Sequence, residues 1–173
     1  MIQILQAALL LAFPALTLVA ALRDLTSYTI PNWISAALIL AFPVAAAALG
    51  VGWSAAGLHL AVGAGALVAG IVMFALGWIG GGDAKLFAAA GLWIGWPAAL
   101  PYLAVTGLAG GALAVALLNL RSSWLRPFAQ TGPAWVGRLA TPGENVPYGV
   151  AIAIGALFAF PGSDLVQAIG RPF

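Results

Sequence analysis

Long uncharged apolar stretches alternate along this chain with short polar connections. Ile2 to Leu22 carries no charge and is interrupted only by Pro14, which is placed to kink a helix. A polar connection follows from Arg23 to Asn32, with Ile30 biased to extended geometry by Pro31. The second apolar stretch runs from Trp33 to about Leu49. Gly50 to Gly57 then forms a turn with Trp53 at the opposite interface, and the third stretch runs from Leu58 to Ile79. Leu86 to Trp96 is apolar but short, and Tyr102 to Leu118 makes most of a fifth stretch. The longest polar connection, Arg121 to Pro147, precedes a final apolar stretch that begins at Val150 and ends near Pro161. A bilayer-spanning helix needs about 20 apolar residues, and only helices satisfy their own backbone within a single span. The pattern predicts an all-α polytopic membrane protein of about six spans.

Composition sharpens this reading. The 173 residues are 64% hydrophobic and 6% charged, with a mean hydropathy of +1.09, against about 25% charged in a soluble domain. We expect one transmembrane domain over residues 1–173, with no separate soluble domain. Ile2–Leu22 is expected to be a retained first span. No base precedes it, and the first, Arg23, follows it. Tandem glycines and other small residues suit close helix contact in lipid. Cysteine is absent and His59 is the sole histidine. That removes disulfides and thiol nucleophiles and argues against a metal site, so no metal or cofactor is expected. His59 reads as an interfacial residue at the outer end of its span. A net charge of +2 makes no nucleic-acid surface; its use is to orient the spans.

With the amino terminus outside, Arg23, Lys85, Arg121, Arg126 and Arg138 fall on the cytoplasmic side and Arg171 alone falls outside. This is a clear positive-inside bias. The same topology puts Asp24 and Asp83 at the same face, although they stand far apart in the chain. The loop arginines read as anchors to anionic headgroups. The two other acids read as a solvated loop residue, Glu144, with a lesser chance of a substrate role, and a far-side residue, Asp164.

A carboxylate at a membrane boundary is costly unless hydrated, paired or functional. Two carboxylates that share a proton do not both ionise easily. The ionised one takes a proton from water while the protonated one donates to a substrate carbonyl or leaving amine. That chemistry needs neither metal nor serine or cysteine nucleophile. Gly80, Gly81 and Gly82 lie just before Asp83 and leave the backbone open to close approach by an extended peptide. Taken singly, Asp83 reads as well as a helix cap, and Asp24 reads as a solvated residue beside Arg23.

Gly80-Gly81-Gly82-Asp83 resembles the G-x-G-D signature of intramembrane aspartic proteases. Asp24 with Ile30-Pro31-Asn32, Gly82 to Leu86 with Gly91-Leu92, and Pro147 to Ile152 resemble, in order, the motifs of the type IV prepilin peptidases. The length is similar to that of the compact CpaA/TadV-type branch, which serves Flp-type pili. The resemblance implies an aspartic endopeptidase that removes the short leader of a prepilin, ahead of its hydrophobic helix, on the cytoplasmic side of the bacterial inner membrane. It carries Asp24 and Asp83 over as the catalytic pair, with Gly80, Gly81, Gly82, Pro31 and Asn32 as substrate-binding or motif support. Its partners are then the prepilin and the lipid bilayer; the oligomeric state stays open.

This chain departs from the family in two respects. The cytoplasmic domain with paired cysteines found in members that also methylate their product is missing here. Ser27, Tyr28 and Thr29 stand where many members carry bases. The alternative function from another class is a small proton-coupled transporter, which would want acids nearer the midplane; a structural membrane subunit is a third reading.

Overall fold

A computed structural model of the protein describes residues 2–169 and is helical throughout, with no strand among those residues. Arg171, the base expected outside, lies beyond them. The helices are α1 (Ile2–Ser27), α2 (Asn32–Ala48), α3 (Trp53–Ala75), α4 (Gly81–Ile94), α5 (Ala99–Leu120), α6 (Arg126–Gln130), α7 (Ala134–Leu139), α8 (Tyr148–Ala159) and, after a 3-10 turn at Phe160–Gly162, α9 (Asp164–Gln167). Four helical stretches among the described residues, Gln3–Ser27, Trp53–Ala75, Ala99–Leu120 and Tyr148–Gln167, are long and apolar enough to cross a bilayer. Of the other two expected spans, α2 is apolar but has 17 residues, and α4 has 14.

The expected polar connection after the first span is largely helical. α1 continues through Arg23 and Asp24 to Ser27. Thr26 and Ser27 hydroxyls bond back to the Leu22 and Arg23 carbonyls at 2.7 and 2.6 Å, so the polar residues solvate the helix end rather than end it. Pro14 stays within α1, where the Thr17 hydroxyl caps the Phe13 carbonyl at 2.5 Å. The long connection also has structure of its own, in α6 and α7.

α4 forms the centre of the bundle. Every residue from Asp83 to Ile94 is buried except Lys85, as expected for a helix apolar on all sides. It lies against α3 through residues too small to hold the helices apart. A Cβ on Gly63 would sit 3.0 Å from Leu92, one on Gly70 3.1 Å from the Ala84 carbonyl, and one on Gly91 3.1 Å from Ala66. α8 meets α5 in the same way, with Gly155 against Thr106 and Gly110 against Tyr148. Dispersion contacts at such close approach replace the hydrophobic drive that lipid does not supply.

At the end away from Asp83, Phe13, Phe160 and Trp93 pack together, with Phe13 stacked 5.3 Å from Trp93 and tilted 4.5 Å from Phe160. The Trp93 indole donates to the Leu38 carbonyl at 2.8 Å. His59 belongs to this cluster and is fully buried rather than interfacial. Its Nδ1 is 2.8 Å from the Leu92 carbonyl and its Nε2 3.9 Å from Asp164. Gly95, at φ +64, leaves room for the imidazole: a Cβ there would lie 2.5 Å from the ring. Outward faces of α1, α3 and α5 expose Leu11, Val68 and Leu108, and Trp33 and Trp53 are exposed at the starts of α2 and α3. An apolar belt with tryptophans at the helix ends is the surface a bilayer covers.

Candidate active site

Asp24 lies on the last turn of α1 and Asp83 on the first turn of α4. Both side chains are buried, with 4% and 7% exposure, yet both line one polar cavity of about 150 Å³. Tyr28, Gly80, Asn145 and Tyr148 line it too. The topology therefore brings together two carboxylates that the sequence separates.

Burying a lone carboxylate costs several kcal/mol unless donors meet it. Here each receives one backbone N–H from the start of a helix. Gly149 donates to Asp24 Oδ2 at 2.7 Å, and Gly80 donates to Asp83 Oδ2 at 3.0 Å. The first N–H groups of a helix have no partner inside it, and the dipole there favours negative charge. Asp24 needs this most, because it sits at the unfavourable carboxyl end of α1. The amino end of α8 supplies what α1 does not. Asp83 Oδ1 is buried without a hydrogen-bond partner among the described residues, so one oxygen of that carboxylate is uncommitted.

Gly149 lies within the Pro147 to Ile152 motif, and nothing in the sequence pairs it with Asp24. The hydrogen bond needs the amide there, and the close approach needs a glycine. A Cβ at this position would lie 2.9 Å from Asp24 Oδ2 and 2.8 Å from Ile30 Cδ1. A glycine at the second position of an apolar helix was the one signal available.

The motif residues divide. Gly80 lines the cavity and donates its N–H to the Asp83 carboxylate, so Asp83, at the third position of α4, also does the capping considered above. Gly82 packs on the chain after Asp24, since its Cβ would lie 3.2 Å from Ile30 Cβ. Gly81 faces Phe74 at ordinary contact distance. Pro31 precedes α2 in extended geometry, and Asn32 accepts from Lys85 Nζ at 2.8 Å. Gly81, Gly82, Pro31 and Asn32 do not line the carboxylate cavity. They shape the joint between the α1–α2 turn and the start of α4.

The long connection is tied to this end of the bundle. Arg121 donates to the carbonyls of Leu139 and Asn145, both at 2.9 Å, and Arg138 donates to the Thr26 carbonyl. Two arginines read from the sequence as lipid anchors thus hold backbone beside the cavity. An apolar cleft of about 400 Å³ adjoins it between α4, α5 and α8. Ile79 and Tyr148 line both spaces. Gly107 and Gly111 of α5 line the cleft and face open space.

Bundle and cavity together define a polytopic helical membrane protein with a paired-carboxylate site at one end. The model of the type IV leader peptidase family matches residues 11–115, and the chain belongs to that family, which makes it a membrane peptidase. The matched stretch contains both aspartates and stops short of Gly149. Comparisons with curated proteins and with solved structures give no match.

Proposed function

We propose that this peptidase is an aspartic endopeptidase that removes the leader of type IV prepilins, Flp-type ones in particular, with Asp24 and Asp83 as the catalytic pair. One observation carries the reading: two buried carboxylates from distant stretches line one polar cavity, each with an oxygen fixed by a backbone N–H.

In the proposed reaction the pair holds one proton. The ionised carboxylate takes a proton from water as the water oxygen attacks the scissile carbonyl. The protonated one donates to the carbonyl oxygen. The tetrahedral intermediate then collapses, the C–N bond breaks, and the leaving amine is protonated by the pair. The roles exchange between steps, and a coupled pair titrates as a unit. The apolar cleft beside the cavity suits the prepilin's hydrophobic helix, with the leader crossing the carboxylates. The Flp-type assignment rests on the resemblance to the compact branch.

In the proposed topology α1 to α5 and α8 each cross the membrane, and the carboxylates share the side of Arg23, Lys85, Arg121, Arg126 and Arg138. By the positive-inside rule this is the cytoplasmic face of the inner membrane, with the amino terminus periplasmic. A proton-coupled transporter would need acids that serve both faces, whereas Asp24 and Asp83 serve one.

The test is co-expression with a candidate Flp prepilin, followed by its size shift. Wild type is expected to remove the leader, and Asp24→Ala and Asp83→Ala to leave it attached at equal membrane levels. Leader removal by either variant ends the aspartic reading.

A further inference from the structure

We propose that Tyr28 is a substrate-contacting residue of this peptidase, its phenol O–H donating a hydrogen bond to a backbone carbonyl of the peptide laid across Asp24 and Asp83. The inference rests on the reading above and deepens it.

The first observation is backbone geometry. Tyr28 has φ +53 and is the one non-glycine residue with positive φ among the described residues. A Cβ disfavours this region, and such outliers persist where their surroundings over-determine them. Here the Tyr28 N–H bonds to the Asp24 carbonyl at 2.8 Å, Ser27 and Thr29 hydroxyls pair at 2.9 Å, and Arg138 holds the Thr26 carbonyl. Glycine or asparagine ends a helix in this conformation with less strain. A tyrosine at this turn therefore has its use in the side chain.

The second observation is where that side chain goes. Tyr28 lines the cavity of the two aspartates. Its oxygen is buried and has no hydrogen-bond partner among the described residues. A buried polar atom left alone is uncommon in a native structure and calls for a reason. Arg121, within reach to donate to the phenol oxygen, and Arg138 and Glu144 face the phenol from the loop side. An arginine only donates and Glu144 makes no hydrogen bond to the phenol, so the phenol's own proton is not used. Burial pushes the Tyr28 phenol up from its ordinary value, which keeps it a neutral donor.

The third point is what the cavity lacks. A bound peptide brings one carbonyl acceptor per residue. The amides of Gly80 and Gly149 already serve Asp83 and Asp24. The Tyr28 hydroxyl, on a residue that lines the cavity, is a donor that the fold leaves unspent.

The experiment compares purified wild type, Tyr28→Phe, Tyr28→Asn and Asp83→Asn on one prepilin substrate, with KM and kcat separated. Tyr28→Phe keeps the ring and removes the O–H. It is expected to lower kcat/KM about tenfold, the effect of one lost hydrogen bond, with unchanged membrane level and melting temperature. Tyr28→Asn tolerates the turn but removes the phenol, and is expected to lose at least as much activity while melting no lower. If Tyr28 only keeps the turn, Tyr28→Asn matches wild type, and the inference is overturned. Tyr28→Phe at wild-type kcat/KM, with Asp83→Asn inactive, overturns the inference and leaves the reading standing. Turnover by Asp83→Asn, or no cleavage of any prepilin by wild type, overturns the reading and the inference with it.

Discussion

Replacing Gly149 with alanine tests whether the site depends on the contact between α8 and Asp24. The added Cβ would lie 2.8 Å from Ile30 Cδ1, 2.9 Å from Asp24 Oδ2 and 3.0 Å from Asp24 Cβ. Carbon atoms rest about 3.5–4.0 Å apart, so the contacts must open by roughly 0.5–1 Å. The Ile30 methyl is the end of a flexible side chain and can swing aside. Asp24 Cβ is fixed to α1, so the aspartate takes up the rest of the shift, and its 2.7 Å bond from Gly149 lengthens. Overpacking of this kind costs about 1–3 kcal/mol of stability. Misplacement of a catalytic group by about 1 Å costs on the order of a hundredfold in rate. We expect Gly149→Ala to lower kcat by roughly ten- to a hundredfold, with a smaller change in KM. The assay is single-turnover cleavage of a prepilin by protein in lipid, beside Gly65→Ala as a control, because a Cβ on Gly65 meets nothing within 4 Å. A Gly149→Ala enzyme that cleaves at the wild-type rate would refute the argument that this amide and its missing side chain position Asp24.

Four further outcomes are expected. Asp24→Asn and Asp83→Asn each lower turnover by roughly a thousandfold or more while the protein still inserts, measured by single-turnover cleavage. The pH–rate profile is bell-shaped: at the acid end both carboxyls are protonated and no base remains, and at the alkaline end both are ionised and no acid remains. A profile flat across the range where wild type is folded contradicts a shared proton. Gly107→Leu, placed in the open apolar cleft, raises KM for a full prepilin more than for a leader peptide without the hydrophobic helix; equal effects on the two substrates would remove the cleft from the reading. Gly95→Ala sets a Cβ at φ +64 against the His59 ring and destabilises by about 2–4 kcal/mol, read as a lower melting temperature in detergent.

The apolar runs and scarce charges determined that the chain is a helical membrane protein, because a segment must satisfy its backbone internally in lipid whatever its neighbours are. The glycines before Asp83 marked the start of a helix, and the order of the motifs pointed to the family. Helix ends were less legible. α1 outlasts its apolar stretch because the Thr26 and Ser27 hydroxyls bond back to the Leu22 and Arg23 carbonyls and the end carbonyls of Asp24 and Thr26 find donors in Tyr28 and Arg138. That places Asp24 on a helix rather than in a loop. The burial of His59 was not legible either, since it depends on Gly95 and on Asp164 at the start of α9 coming back toward it.

The site needed the tertiary structure. Charge bias put Asp24 and Asp83 at one face, but a face is wide, and only the packing of α1, α4 and α8 set them on one cavity. The amide from Gly149 comes from a residue 125 positions away from Asp24, and the turn of Tyr28 depends on an arginine 112 positions from the carbonyl it holds. Apolar periodicity is a local property, written in each segment by its own transfer free energy. Hydrogen bonds between distant residues exist only when the helices are assembled, and so the sequence determined the membrane fold while the assembled bundle decided the site.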